Sequence, residues 1–245
     1  MMISSKQLTH FSIRATNGDI GGVRDVLFDD DTYVVRYLVA DTNIWLPLSR
    51  KVVISPISVK QFDTENSIVD IDMTVETLKE SPTIEEHKPV SREYEEHLFK
   101  YFGYGYYWIG PGAWGEFAHP NELVDQHQQY TNNDGKSTHE NHLRACSEVS
   151  GYEVATQDGN VGHISQFIID VSNWTIVMLV VDTNNWLPGG KHLALLPSDI
   201  IDIDWAAHHV SVKLTHDELV NRPDVDENKL SQDGYVNTVC AAIDE

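Results

Sequence analysis

Asp41-Thr42-Asn43-Ile44-Trp45-Leu46-Pro47 recurs as Asp182-Thr183-Asn184-Asn185-Trp186-Leu187-Pro188, an offset of 141 from Asp41 to Asp182. The same offset, without a gap, carries Gly18 to Gly159, Gly21 to Gly162, Asp29 to Asp170, Pro56 to Pro197, Thr74 to Thr215 and Pro82 to Pro223. It keeps apolar character at Phe11/Tyr152, Ile13/Val154, Val23/Ile164, Leu27/Ile168, Val35/Ile176 and Ile71/Val212. A chain of 245 residues that repeats itself in this way is built from two related units, from about residue 5 to 82 and from about 146 to 223. A unit of that size buries only about 60% of its surface when alone, so each needs support from elsewhere in the chain or from another chain.

Inside a unit the local signals are those of strands. Asn17-Gly18 and Asp158-Gly159 mark hairpin turns. Ile20 to Phe28 reads as a second strand, and Tyr33 to Ala40 and Trp174 to Val181 as β-branched and aromatic third strands. Lys51 to Ser55 and Ser67 to Met73 add further strands. Thr74 starts a short helix that Pro82 stops, and Thr215 to Glu218 fits a capping box. Many short antiparallel strands favour a small barrel, which closes its own edges. In the third strand Ile176, Met178 and Val180 point one way and Val177, Leu179 and Val181 the other, and both faces are apolar. The outer face, with Val177 and Leu179, therefore needs cover from a helix, the sister unit or another chain.

Between the units Ser91 caps a helix over Arg92 to Phe102, with Tyr94, Leu98, Tyr101 and Phe102 as its apolar stripe and Gly103 as its end. Tyr104, Tyr106, Tyr107, Trp108 and Trp114 follow in a Gly-rich run. Aromatic rings at this density pack either on the chain's own barrels or at a subunit interface, and a small-molecule site is the further alternative. Residues 126–141 are polar and read as a loop. The organisation expected is thus a first unit at 1–82, an aromatic helical linker and loop at 83–145, a second unit at 146–223 and an acidic tail at 224–245.

Charge and composition exclude several functions. Asp plus Glu number 38 against 17 Lys plus Arg, a net charge of −21, which repels nucleic acid phosphates and anionic lipid. It leaves a basic protein partner open. The longest apolar run, Val177 to Val181, is far short of a membrane span, and the N-terminus shows no signal-peptide pattern, so the chain reads as cytoplasmic. The two cysteines, Cys146 and Cys240, make neither a metal spacing nor a disulfide framework.

The Thr16-to-Gly21 turn, Tyr37-Leu38-Val39-Ala40-Asp41-Thr42, the Trp45 loop and their counterparts at Leu179 to Thr183 and Asn185-Trp186 resemble the PRC-barrel family. The pattern is most similar to stand-alone bacterial proteins with two such barrels in tandem. The resemblance implies an all-β fold with two six-stranded barrels and short helices, a protein-binding role and no catalytic residues. The family also includes the cytoplasmic domain of the photosynthetic reaction-centre H subunit and a domain of a ribosome maturation factor. The H subunit carries a membrane helix that this sequence lacks, and the maturation factor pairs its barrel with a different domain.

The repeated Asp41/Asp182, Asn43/Asn184 and Trp45/Trp186 set is the most conspicuous candidate site. Asp, Thr and Asn brace a turn after the third strand, and Trp covers a barrel mouth. No base, nucleophile or metal set accompanies them. His139, Glu140 and His142, with Cys146 following, and the pair His208-His209 have loose spacing not shared by the copies and read as surface groups. The glycines from 103 to 115 form no phosphate loop. The expectation is a non-catalytic, cofactor-free protein-binding module that self-associates, most simply as a dimer. An assembly factor acting on ribosomal proteins, a reaction-centre accessory protein and a binder of a small molecule or metal at the linker are the alternatives.

Overall fold

The computed structural model describes residues 1–41, 50–85, 89–124, 142–184, 186, 189–230 and 232–243. The chain divides into two compact units. One comprises Gln7–Leu143 and Ser172–Trp174, the other Met1–Lys6, Arg144–Val171 and Thr175–Glu245.

β1 (Met2–Ser4) and the single turn α1 (Ser5–Leu8) open the chain. The first repeat continues with β2 (Ser12–Ala15), β3 (Gly18–Asp29), β4 (Val35–Ala40), β5 (Arg50–Ile54), β6 (Val59–Asp63), β7 (Ile68–Ile71) and α2 (Val75–Glu80). A short β8 (Ile84–Glu85) and α3 (Arg92–Phe102) follow. The sheet runs β6-β7-β2-β3-β4-β5-β8. Pairing is antiparallel except between β2 and β7, where Ser12, Ile13 and Arg14 run parallel to Ile68, Val69 and Asp70. The all-antiparallel expectation therefore fails at this one seam, which brings the first and last strands of the repeat together. β6 and β5, first and sixth along the path, are joined through a 3₁₀ turn (Pro56–Ser58) whose N-cap Ser55 accepts from the Ile57 N–H.

The second repeat has the same order: β9 (Leu143–Ala145), α4 (Cys146–Val149), β10 (Glu153–Thr156), β11 (Gly159–Asp170), β12 (Thr175–Asp182), β13 (His192–Leu195), β14 (Ile200–Asp204), β15 (His209–Val212) and α5 (His216–Val220). The path is β13-β12-β11-β10-β15-β14, again with one parallel pair, β10 with β15. The correspondence reaches the irregularities. Bulges fall between Val23 and Asp25 and between Ile164 and Gln166, and again between Val59 and Gln61 and between Ile200 and Asp202. Among the described residues the non-glycine positions with positive φ are Tyr33, Ser67, Trp174 and His208, two pairs at the repeat offset. Tyr33 and Trp174 are thus turn residues, and the third strands begin after them. In the first copy Asp29 Oδ1 accepts from the N–H groups of Asp31 (3.1 Å) and Thr32 (2.9 Å), which builds the turn that holds Tyr33 in this conformation.

Gly21 and Gly162 show why glycine recurs there. Both have positive φ, and a Cβ would lie 2.1 Å from the Asp41 carbonyl oxygen and 2.4 Å from that of Asp182. The unit holding the second repeat also takes in the chain's first residues. β1 pairs antiparallel with β11, Met2 opposite Asp170 and Ser4 opposite Ile168, and Ile3 is 4% exposed. The Val171 N–H donates to the Met1 carbonyl, and in the other unit the Asp30 N–H donates to the His142 carbonyl at the same offset.

The apolar faces flagged by the sequence are covered. In the second-repeat unit the segment after α5 folds back through a 3₁₀ turn (Glu227–Lys229) and α6 (Tyr235–Ala241). Val225, Leu230, Val236 and Val239 pack there on Ile168, Met178, Val180 and Ala194. The face turned to this tail is therefore that of Met178 and Val180. Leu179 is fully buried and opposite Phe167 and Leu195 in the sheet, so it presents no surface to another chain, while Val177 is half-buried beside the tail cluster. All six residues of β4 are buried in the first-repeat unit as well.

Candidate docking groove

The linker closes over β4. Ser91 caps α3 by accepting from the Tyr94 N–H, and Gly103 ends it with φ 74°. The buried residues of the helix are Glu95, Leu98 and Phe99, so its inward stripe lies one position round from the Tyr94–Leu98–Tyr101 stripe expected from hydropathy. A carboxylate is the reason. Glu95 is fully buried and accepts from Tyr37 Oη (2.8 Å), Tyr107 Oη (2.7 Å) and Arg92 Nη1 (2.7 Å). Arg36, 3% exposed, donates to the Ala113 carbonyl and stacks 3.9 Å over the Tyr107 ring, and Arg92 lies 4.2 Å over Trp108. Burial, reinforced by the Glu95 charge, pushes the Tyr37 and Tyr107 phenols well above their ordinary range, so both remain donors. Burial lowers the Arg36 pKa. Gly115, with φ 71° and the Ile109 carbonyl 2.6 Å from a would-be Cβ, tightens the loop that delivers Trp114 to the interior. There Trp114 Nε1 donates to the Asn173 carbonyl (2.8 Å).

Of the rings considered for an interface, Tyr104, Tyr107 and Trp114 are buried. Phe102, Tyr106 and Trp108 are half-buried, Tyr106 stacking on Trp108 at 4.6 Å. Tyr101 is 41% exposed. Tyr101 and Phe102 line a groove of about 600 Å³ together with Tyr104, Val124 and, across from them, Ile57, Val59 and Met73. Val124 is 42% exposed, so two of the exposed large apolar residues share this groove. Most of its polar side chains are bonded within the chain. Tyr101 Oη donates to the Thr77 carbonyl (3.0 Å), Thr16 Oγ1 to the Met73 carbonyl (3.1 Å) and Ser58 Oγ to the Ser55 carbonyl (2.9 Å). Thr74 Oγ1 caps α2 by accepting from the Thr77 N–H, and Lys60 pairs with Asp72 at 2.7 Å. Among the described residues neither histidine nor cysteine lines the groove. Sequence reasoning found its Tyr101–Phe102–Tyr104 wall through aromatic density. It missed Ile57, Val59, Met73 and Val124, which come from separate elements.

The repeated turn is structural in its described part. Asp182 Oδ1 accepts from the Asn184 N–H (2.8 Å), and Thr183, buried, exchanges hydrogen bonds with the Lys191 carbonyl (3.0 Å) and N–H (2.8 Å). The Asp41 N–H donates to the Gly22 carbonyl (2.8 Å). Trp186 is 41% exposed, so it does not cover a barrel mouth. Asn43 and Trp45 lie outside the described residues, as do His139 and Glu140 of the histidine-rich stretch. His142 is paired instead with Asp30 (3.4 Å) and Asp31 (3.5 Å), three groups whose ligand atoms come within 4.8 Å of one another at a half-exposed position. His208 tilts against Tyr152, ring centroids 5.1 Å apart.

Six strands with one parallel seam, a bulged hairpin and a short helix after the last strand agree with the comparison of the chain with known families, in which residues 2–78 match the PRC-barrel domain. This part of the chain is a PRC-barrel domain. No curated protein matches the chain. The PRC-barrel domain supports a general role in protein interaction and assembly. Among the described residues no helix is long and apolar enough to cross a membrane. The matched span ends before α3, so the aromatic wall of the groove is an addition to the domain, while Ile57, Val59 and Met73 belong to it.

Proposed function

We propose that this chain is a non-catalytic binding and assembly module of two PRC-barrel domains, the second formed by the second repeat, and that it receives a protein partner at the groove beside the first. The observation that carries the reading is a groove that sets the exposed Tyr101 and Val124 beside Ile57, Val59, Met73 and Phe102, while Tyr101, Thr16, Ser58 and the Lys60–Asp72 pair are bonded within the chain. Such a surface has little to offer a polar reactant and much to offer an aliphatic or aromatic side chain. The strand faces that first suggested a self-associating dimer are covered by the chain's own tail and linker, so self-association, where it occurs, is assigned to the groove as well. The place of action is the cytoplasm.

A photo-cross-linking residue in place of Tyr101 tests this in the native cell. The expected result is a discrete protein adduct that is absent when the cross-linker replaces Ile201, a 67% exposed residue of β14. Sedimentation velocity of the purified chain then shows whether a second copy is that partner. Adducts of equal yield at both positions, or none at Tyr101, would refute the reading.

A further inference from the structure

We infer that each repeat is built to hold the other: the two halves of the chain exchange segments, and they stay bound to one another when the backbone between them is cut. The exchange follows the repeat offset. Met1 and Met2 stand at the positions of His142 and Leu143. Met1 and Met2 belong to the unit of the second repeat, and His142 and Leu143 to that of the first. Both pairs cross over and make the same bond. The Val171 N–H donates to the Met1 carbonyl at 3.0 Å, and the Asp30 N–H to the His142 carbonyl at 2.9 Å. From the first half, Met1–Lys6 crosses as a block. Ile3 lies opposite Ile169 in the β1–β11 ladder, and Ile3, Ser4 and Ser5 are buried. Ser5 Oγ accepts from the Phe167 N–H at 3.1 Å. From the second half, the turn Ser172–Trp174 crosses as well. The Trp174 carbonyl accepts from the Val35 N–H at 2.7 Å, and its buried ring lies 5.6 Å from Phe62. The Asn173 carbonyl accepts from Trp114 Nε1, and the Ser172 carbonyl lies 3.0 Å from His119 Nδ1. The covering helices do not exchange. Tyr94 of α3 and Tyr235 of α6 stand at the repeat offset, yet each helix stays in the unit of its own repeat. Each unit is therefore completed by residues of the other half, which is a segment swap made within one chain. A cut in the polar stretch 126–141 frees neither unit whole. Parting the halves requires stripping Ile3 from its buried site and Trp174 from Val35 and Phe62, which exposes apolar surface and breaks backbone bonds at once.

The full chain, with a sequence-specific protease site inserted between Asn133 and Asp134, tests the inference once it is cut to completion. Native mass spectrometry and sedimentation velocity are expected to find the two fragments together, one to one, at low micromolar concentration. In urea they should part only at the midpoint where tryptophan fluorescence reports unfolding. Ile3→Asp and Trp174→Gly, the glycine chosen because it tolerates the φ of 62° at that position, are each expected to raise the dissociation constant of the fragments about 100-fold. Trp186→Ser, at an exposed residue outside the exchanged segments, should leave it unchanged. Circular dichroism of the uncut variants checks that they fold. Should Ile3→Asp unfold the chain, Ile3→Ala gives the same direction at about ten-fold or more. Fragments that part on cutting without denaturant would overturn the inference. So would fragments that stay together but are indifferent to both the Ile3 and the Trp174 variants, because the exchanged segments would then not be what binds them.

Discussion

Replacing Glu95 with alanine is the sharpest test of how the linker is held. The carboxylate is 0% exposed and takes three donors, the phenols of Tyr37 and Tyr107 and the guanidinium of Arg92. Its removal leaves Arg92 and Arg36 without the one fully buried counter-charge and two phenols without an acceptor. Breaking a buried ion pair from one side costs about 3–5 kcal/mol, and a buried hydroxyl left without a partner adds about 1 kcal/mol or more, so the upper end of that range applies. With a urea slope of about 2 kcal/mol/M, the midpoint should fall by about 2.5 M. Tyr37→Phe is the control, because Glu95 then keeps Tyr107 and Arg92, and the expected loss is only about 1 kcal/mol. Urea unfolding followed by fluorescence of Trp108 and Trp114, with hydrogen exchange of the Arg92–Phe102 amides, measures both. Should Glu95→Ala cost no more than Tyr37→Phe, the carboxylate is not the hub of the network and the account of the inward helix face is wrong.

Alkaline titration probes the same site. The folded-state pKa of Tyr37 and Tyr107 is raised, so their contribution is present below the ordinary phenol pKa of about 10 and is lost as pH rises through the folded values. Absorbance near 295 nm should therefore show these phenols ionising only together with unfolding, and early ionisation would contradict their burial. Removing residues 224–245 uncovers Met178, Val180 and Ala194, and light scattering should show the truncated chain associating more strongly than the full chain. Ile3→Ala should cost about 2–4 kcal/mol and raise hydrogen exchange in β11 between Ile168 and Asp170, with the β2–β3 hairpin unaffected. A fragment ending at residue 82 lacks α3, Glu95 and Trp114, leaving Arg36 and Tyr37 bare, so it should show a broad, low-cooperativity denaturation curve; a sharp transition at high urea would show that the barrel needs no cover.

The positions of five strands of the first repeat were legible because strand signals depend on neighbours in sequence, while β6 and the parallel seam were not. Asp29 and Gly18 mark turns, and apolar alternation marks the faces between them. The same offset that identifies the repeat also predicts where the second copy bulges. What local pattern could not supply was the partner of a buried charge. Arg36 interrupts the apolar run Val34-Val35-Arg36-Tyr37-Leu38, where the second copy has Val177, and that interruption was the signal that the two faces are covered differently. In the second repeat an apolar strand face meets Val225, Leu230, Val236 and Val239. In the first, Arg36 and Tyr37 require an acceptor and aromatic faces, and Glu95, Tyr107 and Trp114 provide them. The helix phase was misjudged for the same reason, since hydropathy counts Glu95 as an outward residue.

The matched PRC-barrel span stops at residue 78, yet Tyr37 within it is buried by residues beyond it. The domain boundary drawn by sequence similarity and the boundary drawn by burial therefore differ, and the groove sits on that difference. One side comes from the 3₁₀ turn Pro56–Ser58, the start of β6 and the residues just after β7, and its aromatic wall from the segment that also satisfies Arg36 and Tyr37. A change in the Glu95 network should consequently move Tyr101 and Phe102 and alter docking without touching a groove residue. The same coupling predicts that a docked segment protects the α3 amides from exchange, because holding Tyr101 and Phe102 in place holds the end of the helix that carries Glu95.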